Sequence, residues 1–268
     1  MIWTFKIFAV PVLVALATLA IRRWGAAVGG LLMGLPIMTG PISLLLALEQ
    51  GTAFAATTTV GIILAVGAMG PYALVSYWTA GRLPWPLCMA AALAAFAVAA
   101  LGLQNLPVDH RQASAVAASS MLLALVAMPR VRKIADMRSP PWWDIPLRML
   151  VTAVLVVTVT FLASDLGPRL SGIMSTLPII STVVVSFTLH QAGAAAGRAV
   201  IRANSIAMLS FIAFFLVVGE TIEASGIAAA YTLALVVTAA SSLAIMLLDR
   251  YLGSHIESGS ASITKALE

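Results

Sequence analysis

Two Leu-Pro-Ile segments, centred on Pro36 and Pro178, carry the residues in this sequence best suited to bind a small polar molecule. Proline inside an apolar helix removes a backbone hydrogen bond and leaves a carbonyl without its partner. Small and hydroxylic residues near both prolines add hydrogen-bonding groups: Thr39, Gly40, Ser43, Thr176, Ser181 and Thr182. We therefore predict a binding site built from backbone and hydroxyl groups at these two segments.

A second set of polar residues lies at the ends of apolar segments. Glu49 ends one such segment, and His190 and Gln191 end another. Arg202 and Asn204 lie at the beginning of a third. Ionisable groups within membrane segments are functional candidates, so we predict gating or coupling roles for all five. The alternative is that they are ordinary helix ends that face headgroups and water, with Arg202 acting as an anchor.

Enzymatic motifs and metal-binding spacings are absent from the sequence. It contains no His-Glu-x-x-His helix, no pair of intramembrane aspartates and no Cys/His cluster with metal-ligand spacing. The three histidines, His110, His190 and His255, fall in different regions, and Cys88 is the single cysteine. We predict no catalytic residue, no metal site and no cofactor.

The composition identifies the elements that must position these residues. Of the 268 residues, 61% are hydrophobic and 9% are charged, and the mean hydropathy is +1.04. Soluble domains carry about 25% charged residues. We predict an all-α integral membrane protein with about nine transmembrane helices, because nine apolar runs are long enough to cross a bilayer. They cover 3–21, 26–49, 53–79, 86–103, 113–129, 146–164, 169–190, 200–218 and 225–248.

The basic residues predict the orientation. With the N-terminus outside, twelve of the fifteen Lys and Arg residues fall on the inner side, as the positive-inside rule requires. The expected location is the bacterial inner membrane, with the C-terminus in the cytoplasm. The net charge of +5 is thereby explained without a nucleic-acid partner. A cleaved signal peptide at 1–21 is disfavoured, because Lys6 alone precedes the apolar stretch whereas Arg22 and Arg23 follow it.

The chain also contains an internal repeat with an offset of 142 residues. Leu35-Pro36-Ile37 corresponds to Leu177-Pro178-Ile179, and the flanking glycines match in register. Two four-helix repeats at 3–103 and 146–248, separated by a linker helix at 113–129, would have opposite orientations, because five spans separate equivalent points. The predicted organisation is a first repeat over 1–105, a linker region over 106–145, a second, inverted repeat over 146–250 and a disordered cytoplasmic tail over 251–268.

Residues 147–218 resemble the GlpM-like small bacterial membrane proteins. The resemblance rests on the Gly-rich stretch before Leu177-Pro178, on Gly193 at the end of that span and on Arg202-Ala203 in the next. It implies a fused, inverted pair of GlpM-like units. No substrate or activity is implied, because that family has no well-defined substrate. The first repeat departs from the pattern, with Thr57–Val60 where the second has Ala199–Arg202.

Inverted repeats with helices broken near the midplane are typical of secondary transporters. The sequence therefore predicts a transporter of a small polar or anionic solute by alternating access around Pro-broken helices 2 and 7. Two alternatives are a membrane scaffold or assembly partner, and an enzyme acting on a lipid-like substrate with Glu49 or His190 as acid or base. The expected partners are the lipid bilayer and a small solute, and a homodimer remains open.

Overall fold

The computed structural model describes residues 2–25, 36, 39–131, 143–165 and 177–267. Side chains are described for 10–25, 36, 39–131, 143–158 and 177–245. All regular secondary structure in these ranges is helical, apart from an isolated bridge between Ala80 and Leu83 in a tight loop. The prediction of an all-α chain is confirmed for this part of the molecule.

In the part of the chain that the structure describes, six helices precede one long helical stretch. They are α1 (Ile2–Trp24), α2 (Thr39–Gln50), α3 (Thr52–Thr79), α4 (Trp85–Leu103), α5 (His110–Ala127) and α6 (Asp144–Asp165). The stretch Ile179–Leu267 is interrupted by non-helical backbone at Gly193 and Gly226. We label its parts α7 (179–192), α8 (194–225) and α9 (227–267).

Local sequence explains where α4 and α5 begin. Pro84 and Pro86 lie at the start of α4, where proline fits because the first helical N–H groups have no intrahelical partner. Asp109 caps α5 by accepting a hydrogen bond from the Gln112 N–H at 2.8 Å, and the Gln112 side chain bonds back to the Asp109 N–H. This capping box satisfies donors at the end of the helix.

Three of the described helical stretches are long and apolar enough to cross a membrane: Thr52–Thr79, Trp85–Leu103 and Ile179–Ile245, with mean hydropathies of 1.8, 2.2 and 2.1. Large apolar side chains on the outside of the molecule are consistent with contact with lipid. Val98, Leu123 and Val126 are 72%, 71% and 86% exposed. Exposed apolar surface on this scale is characteristic of a chain that meets lipid or another protein.

α3 lies at the centre of the helix packing, against α4, α5 and the long helical stretch. Its approach to α5 is close because glycines replace side chains at the contact. Ser120 Oγ of α5 donates a hydrogen bond to Gly67 O of α3 at 2.7 Å. A Cβ atom at Gly70 would overlap Ser120 Oγ and lie 2.9 Å from Ser120 O, so this position admits only glycine without displacement.

Helix junctions recur at a separation of 142 residues. Gly51 separates α2 from α3 with φ 89° and ψ 170°, and Gly193 separates α7 from α8 with φ 80° and ψ −179°. Positive φ disfavours residues with a Cβ atom, which accounts for glycine at both junctions. α4 begins at Trp85 and α9 begins at residue 227, again 142 positions later.

The C-terminal segment differs from expectation, and two of the predicted spans fall partly outside the described residues. The segment predicted as a disordered tail, 251–268, has helical backbone through Leu267 in the described residues. That segment contains no proline to end it. The predicted spans 26–49 and 169–190 are described only from Thr39 and from Leu177 onward, apart from Pro36.

Candidate functional site

Two of the predicted hydroxyl residues lie on α7, where they meet α8 and α3. Ser181 Oγ accepts a hydrogen bond from Asn204 Nδ2 of α8 at 3.2 Å. Thr182 Oγ1 lies 3.1 Å from the Tyr72 hydroxyl of α3. Ser181, Asn204 and Tyr72 are all buried, and Asn204 Oδ1 has no donor among the described residues. A buried amide with unused hydrogen-bonding capacity is costly unless it serves another purpose.

The predicted residues on α2 form a separate group. Ser43 Oγ donates to Gly40 O at 2.8 Å and accepts a hydrogen bond from the Tyr231 hydroxyl of α9 at 2.9 Å. Ser43 is buried, whereas Thr39, the first residue of α2, is half-buried. This group therefore joins α2 to α9 through a pair of hydroxyls.

One contact of the first group has a counterpart at the 142-residue offset. Thr182 contacts Tyr72, and the equivalent positions are Gly40 and Phe214. Those two also meet, since a Cβ atom at Gly40 would lie 3.6 Å from Phe214 Cζ. The contact of Thr182 with Tyr72 and that of Gly40 with Phe214 therefore form a reciprocal pair at an offset of 142 residues.

Pro178 immediately precedes a helix, and Pro36 lies three residues before one. Pro36 O accepts a hydrogen bond from the Gly40 N–H, and Pro178 O accepts one from the Thr182 N–H, each at 2.8 Å. α2 begins at Thr39 and the next equivalent helix begins at Ile179. The residues before each proline, including Thr176, lie outside the described residues, as do the carbonyls that the prolines were expected to free.

Arg202 binds backbone carbonyls. Its Nη1 donates to Leu125 O at 2.8 Å and to Met128 O at 2.5 Å, at the end of α5. Arg198 acts similarly on the end of α3, with hydrogen bonds of 3.1 Å to Tyr77 O and 2.5 Å to Ala80 O. A helix ends with unpaired carbonyls and a partial negative charge, and a guanidinium satisfies both. These contacts fit the anchoring interpretation of Arg202 that the sequence left open.

The remaining predicted gating residues occupy three different environments. Glu49 is exposed near the end of α2. His190 is also exposed, and its ring lies 6.1 Å from the Trp85 ring in an edge-on arrangement. Gln191 is hydrogen-bonded to Arg148 and Asp144 in a buried ionic cluster.

Sequence reasoning missed this ionic cluster, which consists of Arg22, Asp144, Arg148 and Gln191. One Asp144 oxygen, Oδ2, accepts from Arg22 Nη2 and, at 2.9 Å, from Arg148 Nε. The other, Oδ1, accepts from Gln191 Nε2, and Arg148 Nη2 donates to Gln191 Oε1 at 2.9 Å. The signal available in the sequence was the spacing of Asp144 and Arg148, one helical turn apart.

The fold and the site together define a helical protein with apolar helices of membrane length and buried polar contacts between them. Comparison of the chain with family models, with curated proteins and with solved structures finds no match. The GlpM-like resemblance therefore stays a prediction.

Proposed function

We propose that the protein is a multispan transporter of a small polar or anionic solute, built from two inverted repeats in the bacterial inner membrane. The observation that carries the proposal is the reciprocal pair of contacts between the halves, Thr182 with Tyr72 and Gly40 with Phe214. Transporters with inverted repeats bind their solutes where the repeats meet. In this chain the meeting point contains buried hydroxyl and amide groups.

The polar groups at this point suit a hydrogen-bonding solute. Asn204, Ser181 and Thr182 offer an amide and two hydroxyls without a carboxylate or ammonium group. A cationic solute would find no compensating charge in this group, and burial of an uncompensated charge is strongly unfavourable. An anion or a neutral polar solute fits better, since the N-terminal ends of helices α2 and α7 carry a partial positive charge.

The distribution of charge supports the proposed orientation. Arg22, Arg198 and Arg202 all bind groups at helix ends that belong to the proposed inner side. The opposite end of the molecule has an exposed ion pair between Arg111 and Glu220, at 3.0 Å. A predominance of basic residues on one side favours that side as cytoplasmic.

Reporter fusions test this orientation. An enzyme active only in the cytoplasm is expected to work after Arg82 or Lys265 and to fail after Gln50 or Gln104. The reason is that α3 and α4 each connect opposite sides if they span the bilayer. Fusions to a reporter active only outside the cytoplasm give the matched control and should show the reverse pattern. Cytoplasmic activity after Gln104 would contradict the model.

Transport is tested with purified protein in liposomes, by comparing uptake of small organic acids and of cationic amines. Saturable uptake of an acid or a neutral polar solute is expected. Thr182→Val removes the hydroxyl near Tyr72 and keeps the shape, so it should reduce uptake at least tenfold. Thr188→Val is the control on the same helix, because Thr188 is buried and its hydroxyl donates to Val184 O of that helix.

Equal loss of uptake in both valine variants would indicate a general effect on α7 and count against a site at Thr182. Uptake of amines alone, unchanged by Thr182→Val, would overturn the solute class. The absence of saturable uptake of any compound by folded, correctly oriented protein would favour a scaffold.

A further inference from the structure

We propose that the ionic cluster of Arg22, Asp144, Arg148 and Gln191 is a binding site for an oxyanion, a carboxylate or a phosphate group, held by Arg148. The proposed solute site lies elsewhere, at Thr182, Ser181 and Asn204, so this inference goes beyond the proposed function. Its test measures binding and does not depend on transport.

The first support is an unused donor. The Arg148 side chain is 4% exposed, and its Nη1 atom is buried without a hydrogen-bond acceptor among the described residues. Its other two nitrogens are occupied, Nε by Asp144 and Nη2 by Gln191. A guanidinium presents its donors in a fixed planar fork that matches carboxylate and phosphate oxygens. The unused Nη1 is the donor that such a group would take.

The second support is the balance of charge. Two guanidinium groups, Arg22 and Arg148, share one carboxylate, Asp144, and Gln191 is neutral. Both Asp144 oxygens already accept hydrogen bonds, Oδ2 from the two arginines and Oδ1 from Gln191. The cluster therefore carries an excess positive charge, and a second anion is the partner that would compensate it.

The location explains both the cost of the cluster and the route to it. Arg148 lies one turn after the start of α6 at Asp144, and its neighbours Leu147 and Leu150 are exposed apolar residues. A buried guanidinium is costly unless anions or acceptors satisfy its charge and its donors. The Arg22 side chain is 24% exposed, which gives an incoming anion a first contact at the surface.

The face of the Arg148 guanidinium is already covered. Its Cζ lies 4.6 Å from the centre of the Phe187 ring on α7, which fixes the plane of the fork. Thr152 Oγ1 donates to Arg148 O at 2.7 Å and supports the same turn of α6. A guanidinium held in one plane loses little freedom when an oxyanion binds to its edge.

The experiment measures binding to the full chain in nanodiscs. Thermal unfolding is followed in phosphatidylcholine discs with increasing acetate or inorganic phosphate, against chloride at equal ionic strength. The expected result is a saturable rise in Tm for the wild type. Arg148→Gln should weaken the apparent affinity at least tenfold, and it leaves Arg22 and Asp144 as a balanced pair. Arg23→Gln, at the exposed neighbour of Arg22, is the matched control and should leave binding unchanged.

A second variant and a second source of phosphate complete the test. Asp144→Asn keeps the shape and increases the excess positive charge, so the folded variant should bind either anion several-fold more tightly than the wild type. Discs with added phosphatidylglycerol test whether a lipid headgroup supplies the phosphate. If these discs raise Tm in an Arg148-dependent way, and free phosphate then raises it no further, the site binds lipid. Equal effects of all anions, or equal binding by wild type and Arg148→Gln, would overturn the proposal.

Discussion

Gly70→Ala is expected to destabilise the protein by about 2–3 kcal/mol, because the new methyl group would enter the backbone of α5. The added Cβ would lie 2.9 Å from Ser120 O and 3.0 Å from Ser120 C, which cannot turn away as a side chain can. It would also displace Ser120 Oγ from its hydrogen bond with Gly67 O. Relief requires α3 and α5 to move apart along their contact. Unfolding in mixed micelles, followed by tryptophan fluorescence, measures the free-energy change.

Gly61→Ala is the matched control on the same helix. A Cβ atom at Gly61 meets no neighbouring atom within 4 Å, and alanine is the better helix former. The variant should match the wild type in stability or exceed it by up to about 1 kcal/mol. If both alanine variants lost the same stability, close packing of α3 on α5 would not explain the effect at Gly70.

Asp144→Ala is expected to lower the free energy of unfolding by about 3–5 kcal/mol, since it leaves the buried Arg148 guanidinium without its carboxylate. Arg22 and Gln191 lose their shared acceptor in the same step. The double variant Asp144→Leu/Arg148→Met should recover most of the loss, because an apolar pair carries no desolvation penalty. The same unfolding titration compares the single and double variants.

Glu220→Gln provides the contrast for that prediction. It removes the carboxylate that pairs with Arg111 at 3.0 Å, where the Arg111 side chain is 80% exposed. Solvent screens such a pair, so the variant should lie within about 1 kcal/mol of the wild type. If Glu220→Gln lowered the free energy of unfolding as much as Asp144→Ala does, burial of the ion pair would not explain the cost at Asp144.

The sequence predicted the helices well where apolar runs end at strong signals. The expected span 53–79 corresponds to α3, which begins at Thr52 after Gly51, and the span 86–103 corresponds to α4, which begins after Pro84. Glycine and proline punctuate the chain locally, so their effect is visible without knowledge of the fold. The C-terminal end of α9 contains no proline, and there the segment predicted to be disordered continues as helix through Leu267.

The site was predictable only in part, because its contacts join distant segments. The hydroxyls near Pro36 and Pro178 were found from their spacing, but their partners Tyr72 and Tyr231 were not. Tyr72 and Thr182 are 110 positions apart in the chain, and no local pattern identifies such a pair. The ionic cluster was missed for the same reason, since Arg22 and Asp144 meet only after α1 packs against α6.

The isolated glycines between helices have a mechanical consequence. A Cβ atom at Gly51 or Gly193 would meet no neighbouring segment within 4 Å, so packing leaves space around each junction for a change of backbone torsion. α2, with 12 residues, is then a lever about 18 Å long. A 10° turn at Gly51, about the size of ordinary helix scatter, would move its far end by about 3 Å. The far end of that lever carries Thr39 and Gly40.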